Sequence, residues 1–356
     1  MQGGARVIAG DGMLVVSLGT THGLRVADGS FAQLVREAGV EAQVVTARLG
    51  PLANAVRRGY PVNDIVEAAA ARRALRAARR RLSPRTVVFS STTAALLGAR
   101  GLDIPYAVRL DAPAALNRPG LRNLPLRVLE RPALAGARIV LALGAAGAAA
   151  LPPQSAPAVV LPVPVPPYAG TGEDDPGLFT AYAPDPQAKG LDVLCGAWIQ
   201  AALEGARLEV FGIEAERARA WLARRRMPEP AGVRWRGLVA QSEFRAALGR
   251  ARAHVVGARW EDFGQAPLEA LSDGALLVCT PAGGPFEALG LARGLAPALV
   301  AGAVDAGALA TALRAAFELP DDVRADYCAR AAELLAPYRP EAVARTLRER
   351  VLPALL

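Results

Sequence analysis

The proline-dense stretch from Ala156 to Pro176 constrains this chain most, because it separates two series of the same pattern. It holds Pro157, Pro162, Pro164, Pro166 and Pro167, then Gly170-Thr171-Gly172-Glu173-Asp174-Asp175. Prolines at this density cannot continue a helix and form a semi-rigid connector. Before it, short apolar runs alternate with helical stretches. Met13 to Gly19 reads as a buried strand, about Ser30 to Ala38 as a helix, and Ala42 to Val45 as a strand. Asn63 is placed to cap a long helix running to about Leu82. Thr86 to Phe89, Tyr106 to Leu110 and Ile139 to Ala142 are further strands, and Ser90-Ser91-Thr92-Thr93 caps a helix between the first two. After the connector come strands near Phe179, Leu208–Val210, Val233–Trp235, Val255–Val256 and Leu276–Val278. Helices start near Lys189, Glu214, Ser242, Pro267 and Pro285, and the chain ends in helices near 304–317, 320–336 and 340–355. Such alternation predicts parallel sheets with helices on both faces.

At 356 residues, 52 % of them hydrophobic, the chain has length and apolar mass for two domains. The expected division is 1–167, 168–338 and a final helical segment 339–356. No apolar run reaches the roughly 20 residues of a membrane span, and the first residues lack the basic and apolar regions of a signal peptide. The three cysteines, Cys195, Cys279 and Cys328, stand far apart and suit neither a metal site nor a disulfide framework. A cytoplasmic protein without a bound metal is expected. The net charge of +8 comes from 41 basic residues, all but one of them arginine. No aromatics interleave with those arginines to stack bases, so nucleic acid is not the expected partner. The one lysine, Lys189, is informative because of that bias.

The most chemically suggestive stretch is Arg259-Trp260-Glu261-Asp262-Phe263-Gly264-Gln265-Ala266-Pro267-Leu268-Glu269. It follows the apolar strand Ala253 to Ala258, and Pro267 suits the first position of a helix, where its missing N–H is not needed. Gly264 therefore lies at a strand-to-helix turn, where ligand can approach the backbone and free N–H groups favour an anion. Glu261 precedes the turn and Glu269 falls in the helix's first turn, so both can face the crevice at the carboxyl end of a parallel strand. Lys189-Gly190-Leu191-Asp192 opens another helix. A cation there opposes the helix dipole, and a bound diphosphate would supply the reason for it.

Two glutamates separated by seven residues, with Phe-Gly after the first and Ala-Leu after the second, resemble the signature of retaining, family-4 (group 1) glycosyltransferases of the GT-B fold. The resemblance implies two Rossmann-like domains facing a cleft, with the last helix crossing back onto the first domain. It implies a sugar moved from a nucleotide-diphosphate donor to a hydroxyl acceptor, with no cofactor besides that donor. Glu261 would meet the donor sugar, Glu269 the ribose hydroxyls, and Lys189, with the N–H groups around Phe263-Gly264, the diphosphate. The family's usual arginine shortly before the lysine is missing from Tyr182 to Ala188, and Arg259 is the candidate to replace it. Gly237-Leu238 resembles the loop at the nucleobase, and Gly283-Gly284 a second glycine turn at the donor. In the first domain, Gly19-Thr20-Thr21-His22-Gly23 resembles the acceptor-side loop, with His22 inside it and without the usual glycine pair. Asp111 stands where many members place a histidine facing the sugar.

The same residues leave two rivals: a nucleotide-sugar epimerase of the same fold, and a GT-B partner subunit that binds nucleotide without turnover. Finally, Arg72, Arg76, Arg79 and Arg80 share one face of the helix that ends near Leu82. That face is either solvated or a contact with the inner face of an anionic membrane, where lipid-linked acceptors reside.

Overall fold

The computed structural model describes residues 12–20, 22–50, 59–168 and 173–356. Two compact units divide the chain: residues up to Pro164 with Pro340–Leu356, and Val165–Arg339.

The first unit carries a six-stranded sheet in the order β2-β1-β3-β4-β5-β6, every neighbouring pair parallel. Its strands are β1 (Met13–Ser17), β2 (Ala42–Thr46), β3 (Thr86–Phe89), β4 (Tyr106–Leu110), β5 (Ile139–Ala142) and β6 (Ala158–Val160). The alternation of side chains sorts the core. Leu14, Val16, Val87 and Phe89 enter one apolar cluster, while Met13, Val15, Val88, Ile139 and Leu141 enter the other. The second cluster is closed by Val343, Leu347, Val351, Leu352 and Leu355 of the C-terminal segment. The chain therefore returns to its first unit, as the resemblance implies.

The helices are α1 (His22–Glu37), α2 (Val62–Arg79), α3 (Thr92–Gly98), α4 (Ala114–Asn117), α5 (Leu124–Ala135) and α6 (Ala145–Ala149). Three local readings are corrected. Helix α1 begins at His22, not near Ser30, because Asp28 in its middle is held by a buried ion pair with Arg109, Nη1 to Oδ1 3.0 Å. Asn63 is not the cap of α2; it lies inside the first turn, where its Oδ1 accepts from Gly59 N at 3.2 Å. The connector contains β6, an edge strand between Pro157 and Pro162, where only one side must pair and prolines are tolerated. Ser91 caps α3 as expected, its Oγ accepting from Ala94 N at 3.1 Å.

The arginine-bearing helix α2 turns Ala71, Leu75 and Ala78 into the core and leaves Arg73, Arg76 and Arg80 exposed. Arg79 pairs with Asp103 at 2.6 Å. Among the described residues, no helix is long and apolar enough to cross a membrane.

On the buried side of α5, the Glu130 carboxylate accepts from Ala114 N at 3.0 and 2.9 Å, and burial pushes its carboxyl up to about 7. Between the ordinary value of 4.5 and about 7, the folded chain keeps a proton that the unfolded chain releases. Stability contributed below that window is therefore lost as pH rises through it, by roughly 3 kcal/mol in total. Denaturant titrations at pH 5 and 7.5 should show the loss, and Glu130→Gln should remove most of it. Equal pH slopes for both proteins would assign the effect elsewhere.

The second unit has a five-stranded parallel sheet in the order β11-β10-β7-β8-β9. The strands are β7 (Asp175–Tyr182), β8 (Arg207–Phe211), β9 (Val233–Gly237), β10 (Ala251–Val256) and β11 (Leu276–Cys279). Helices α7 (Leu191–Ala201), α8 (Ala215–Ala223), α9 (Gln241–Arg250), α10 (Gln265–Ser272) and α11 (Glu287–Leu295) alternate with them. Helices α12 (Ala306–Glu318) and α13 (Asp321–Leu334) follow. Phe179 meets Trp198 edge-on at 5.4 Å on one face, while Leu178, Phe211, Phe244 and Leu248 form the core of the other.

Candidate functional site

The chain lays β7, β8 and β9 outward in one direction and then crosses back to place β10 on the other side of β7. That reversal makes the carboxyl ends of β7 and β10 the topological switch point of the sheet, the place where such sheets bind ligands. The loops leaving those two strands carry Lys189 and Glu261. The Lys189 Nζ lies 2.5 Å from Glu261 Oε1. Glu261 is buried; burial raises its carboxyl and the Lys189 ammonium opposes that shift.

The two loops are pressed together. Arg259 N donates to Ala188 O at 3.2 Å, and a Cβ on Gly190 would stand 1.9 Å from Gly257 O. Gly190 is left-handed (φ 58°) and caps α7, so Lys189 precedes that helix by two residues instead of opening it. The Arg259 guanidinium grips both oxygens of Asp192 in the first turn of α7, at 2.7 and 2.6 Å. The candidate phosphate arginine is therefore engaged with an acid that sequence reasoning left unassigned.

Gly264 (φ 82°) caps α10, which starts at Gln265, two residues before Pro267. Pro267 still falls in the first turn, where no N–H is required. The earlier start puts Glu269 at the fifth helical position, in the second turn. Its buried Oε1 accepts from Gln241 Nε2 at 3.0 Å and Gln265 Nε2 at 3.1 Å, which orient the carboxylate. Burial raises its carboxyl, against the lowering influence of Gln265 and Arg245. Phe263 is buried beside these groups, and its carbonyl accepts from Glu287 N at 3.3 Å.

Gly283 and Gly284 close on the same loop: Glu261 N donates to Gly283 O at 2.9 Å and Gly283 N to Arg259 O at 3.1 Å. A Cβ on Gly284 (φ 101°) would reach within 2.2 Å of Glu261 O, so this turn sets the backbone that carries Glu261. At the end of β9, Gly237 is left-handed (φ 64°) and the Glu214 carboxylate fills the space before it. Leu238 N donates to Glu214 Oε1 at 3.3 Å, and the Leu238 side chain is 63 % exposed at the sheet edge. Glu214 and Gln241 were not foreseen; both lie where a strand loop enters a helix, the only sequence signal they offer.

His254 is buried in the middle of β10, and its Nδ1 is 3.0 Å from Thr180 Oγ1. Burial, assisted by the charge of Lys189, holds the imidazole down to about 3, so it stays neutral.

In the first unit, the candidate residues stand at the carboxyl edge of its own sheet. Gly19 follows β1 at φ 60°, its N donating to Ser17 Oγ and its O accepting from Arg25. Thr20 is exposed, Thr21 lies outside the described residues, and His22 and Gly23 form the first turn of α1. The helix start removes those two from the loop in which they were expected. Asp111 follows β4, where its Oδ1 accepts from Ala112 N at 2.7 Å and Asn117 Nδ2 at 3.3 Å. Behind this edge lies the Asp28–Arg109 pair, with Ser17 and Ser90 beside Asp28, a polar cluster that local sequence patterns do not reveal.

Two α/β units with parallel sheets, the second presenting paired acids and a lysine at its switch point, define a protein of GT-B architecture. Residues 177–318 match the family model described as Glycosyl transferases group 1. That segment is a group 1 glycosyltransferase domain, and the protein that carries it is a glycosyltransferase. Such enzymes take a nucleotide-sugar donor and an acceptor. Among solved structures, the chain is similar to a sucrose-phosphate synthase from Thermosynechococcus elongatus, with 16 % identity, TM-score 0.70, and 94 % of this chain and 96 % of that one covered. It is also similar to an α,α-trehalose-phosphate synthase (UDP-forming) from Burkholderia xenovorans, solved with glucose-6-phosphate: 14 % identity, TM-score 0.68, coverage 96 % and 100 %. A third is a trehalose-6-phosphate synthase studied with bisubstrate glycomimetics for transfer with retention, at 12 % identity, TM-score 0.67, coverage 94 % and 97 %. No curated protein sequence matches this chain.

Proposed function

We propose that the protein is a retaining glycosyltransferase whose donor site is the carboxyl edge of the second unit. The observation that carries this reading is the Lys189–Glu261 pair at the switch point between β7 and β10. In the reaction, the bond from the anomeric carbon to the donor diphosphate breaks and its electron pair leaves with the nucleoside diphosphate. A new bond forms to the acceptor oxygen, whose proton is released. Lys189 meets the growing negative charge on the diphosphate, together with N–H groups at the starts of α7 and α10. Glu261 faces the growing positive charge of the sugar. Glu269 holds the ribose, and Gly237-Leu238 lies against the base. No metal is invoked in these steps. Transfer with retention in a structural relative supports the stereochemical part of the reading.

The experiment is product analysis by NMR, with UDP-glucose first and other nucleotide sugars as further arms, in the presence and absence of sugar acceptors. Retention predicts an acceptor glycoside with the donor's anomeric configuration. An inverted product would overturn retention. A changed donor or free sugar formed without acceptor would favour the epimerase instead.

A further inference from the structure

The outward face of α5 in the first unit has no covering partner among the described residues. Leu121, in the turn that leads into the helix, is 87 % exposed, and Leu124 and Val128 are 48 % and 52 % exposed. Their spacing, three and then four residues, puts all three on one helical face. Pro125, Pro132 and Ala135 are exposed along it too, so the solvent-facing side of this helix is almost wholly apolar. Its inner side holds Leu126, Ala133, Leu134 and the buried Glu130.

The charge beside this face has one sign. From Ala112 to Arg138 the sequence has five arginines and a single acid, Glu130, which is buried. Arg127 is tied to the carbonyls of Arg118 and Gly120, and the Arg118 guanidinium stacks 3.7 Å over the exposed Tyr60 ring. Arg122 and Arg131 flank the apolar stripe, exposed and without an ion-pair partner among the described residues. Helix α2 offers a contrast, since Ala71, Leu75 and Ala78 are already in the core and its large exposed apolar residues, Val62 and Ile65, sit in its first turns, away from the exposed Arg73, Arg76 and Arg80.

We propose that the Leu121–Leu124–Val128 face of α5, with Arg122 and Arg131 at its edges, docks on an anionic lipid surface. An apolar stripe bordered by cations seats its side chains at the headgroup boundary while the guanidiniums meet the phosphates. Charge chooses this occupant over a second copy of the chain. A two-fold dimer through the face would set its arginines against their own images, with no exposed acid between them.

The test is co-sedimentation with phosphatidylcholine vesicles and with vesicles of phosphatidylcholine and phosphatidylglycerol at 7:3, in low and high salt. Binding should require the acidic lipid and fall with salt. Leu124→Ser/Val128→Ser should weaken it about tenfold or more, since two apolar side chains no longer leave water. Arg122→Glu/Arg131→Glu should abolish it, and Arg76→Glu/Arg80→Glu on α2 should change it far less. Leu121→Ser, at a site too exposed to affect folding, should act in the same direction as the serine pair, which guards against a variant that simply unfolds. Absence of binding to acidic vesicles at low salt would overturn the proposal. So would binding that the serine variants leave intact, or a solution dimer that they dissociate.

Discussion

Glu261→Gln should lower kcat by about 10²- to 10³-fold while the donor KM changes little. The reason is the place of the carboxylate: buried, held through one oxygen by Lys189, on a backbone fixed by the Gly283–Gly284 turn. A charge fixed in a site that excludes water is worth most when the opposite charge develops, which happens only as the glycosidic bond breaks. The amide keeps shape and removes charge. It also frees Lys189 for the diphosphate, so ground-state affinity should hold or rise. Glu269→Gln should do the reverse and raise donor KM more than it lowers kcat, because ribose contacts persist through the reaction. Steady-state donor titrations on both variants make the comparison. Equal losses of affinity at unchanged kcat would contradict this division of roles.

Asp28→Ala should destabilise the first unit by roughly 3–5 kcal/mol, because it leaves the Arg109 guanidinium buried without its main partner. Arg109 is almost wholly enclosed; burial acts against its charge, and Asp28 and then Asp111 act for it. For a unit of this size the loss corresponds to a Tm lower by on the order of 6–20 °C. Asp28→Leu/Arg109→Leu should cost much less, since replacing both members of a buried pair removes the unpaired charge. Thermal unfolding of the three proteins decides it. A double variant as unstable as Asp28→Ala would show that packing, not charge, governs the site.

What the sequence made legible follows from the range of the interactions. Strand and helix alternation is local, and every strand expected on either side of the prolines is present. Glu261 and Lys189 were each singled out from their own turns. Their meeting across 72 residues was not, because only the strand order β10-β7 brings the two loops together. Asp28 and Arg109 lie 81 residues apart and left no local mark, which is why α1 was expected to start too late. Arg259 was assigned by elimination, while its actual partner, Asp192, is an acid in the first turn of α7, 67 residues away in sequence. Element ends were misjudged where a left-handed glycine, not the proline, caps the helix, as at Gly264 before Pro267.

Lys189 is proposed to serve a diphosphate at the switch point of the second unit. Calorimetric titration of UDP, ADP and GDP, each beside its parent nucleoside, into the wild-type protein and Lys189→Ala tests it most directly. Lys189→Ala should weaken the preferred diphosphate by about 10- to 100-fold, the range of a charge-assisted hydrogen bond, and leave the nucleoside nearly unchanged. Lys189→Arg should recover little, because a planar fork does not replace a compact point charge. Equal weakening of diphosphate and nucleoside, or none of either, would contradict the claim.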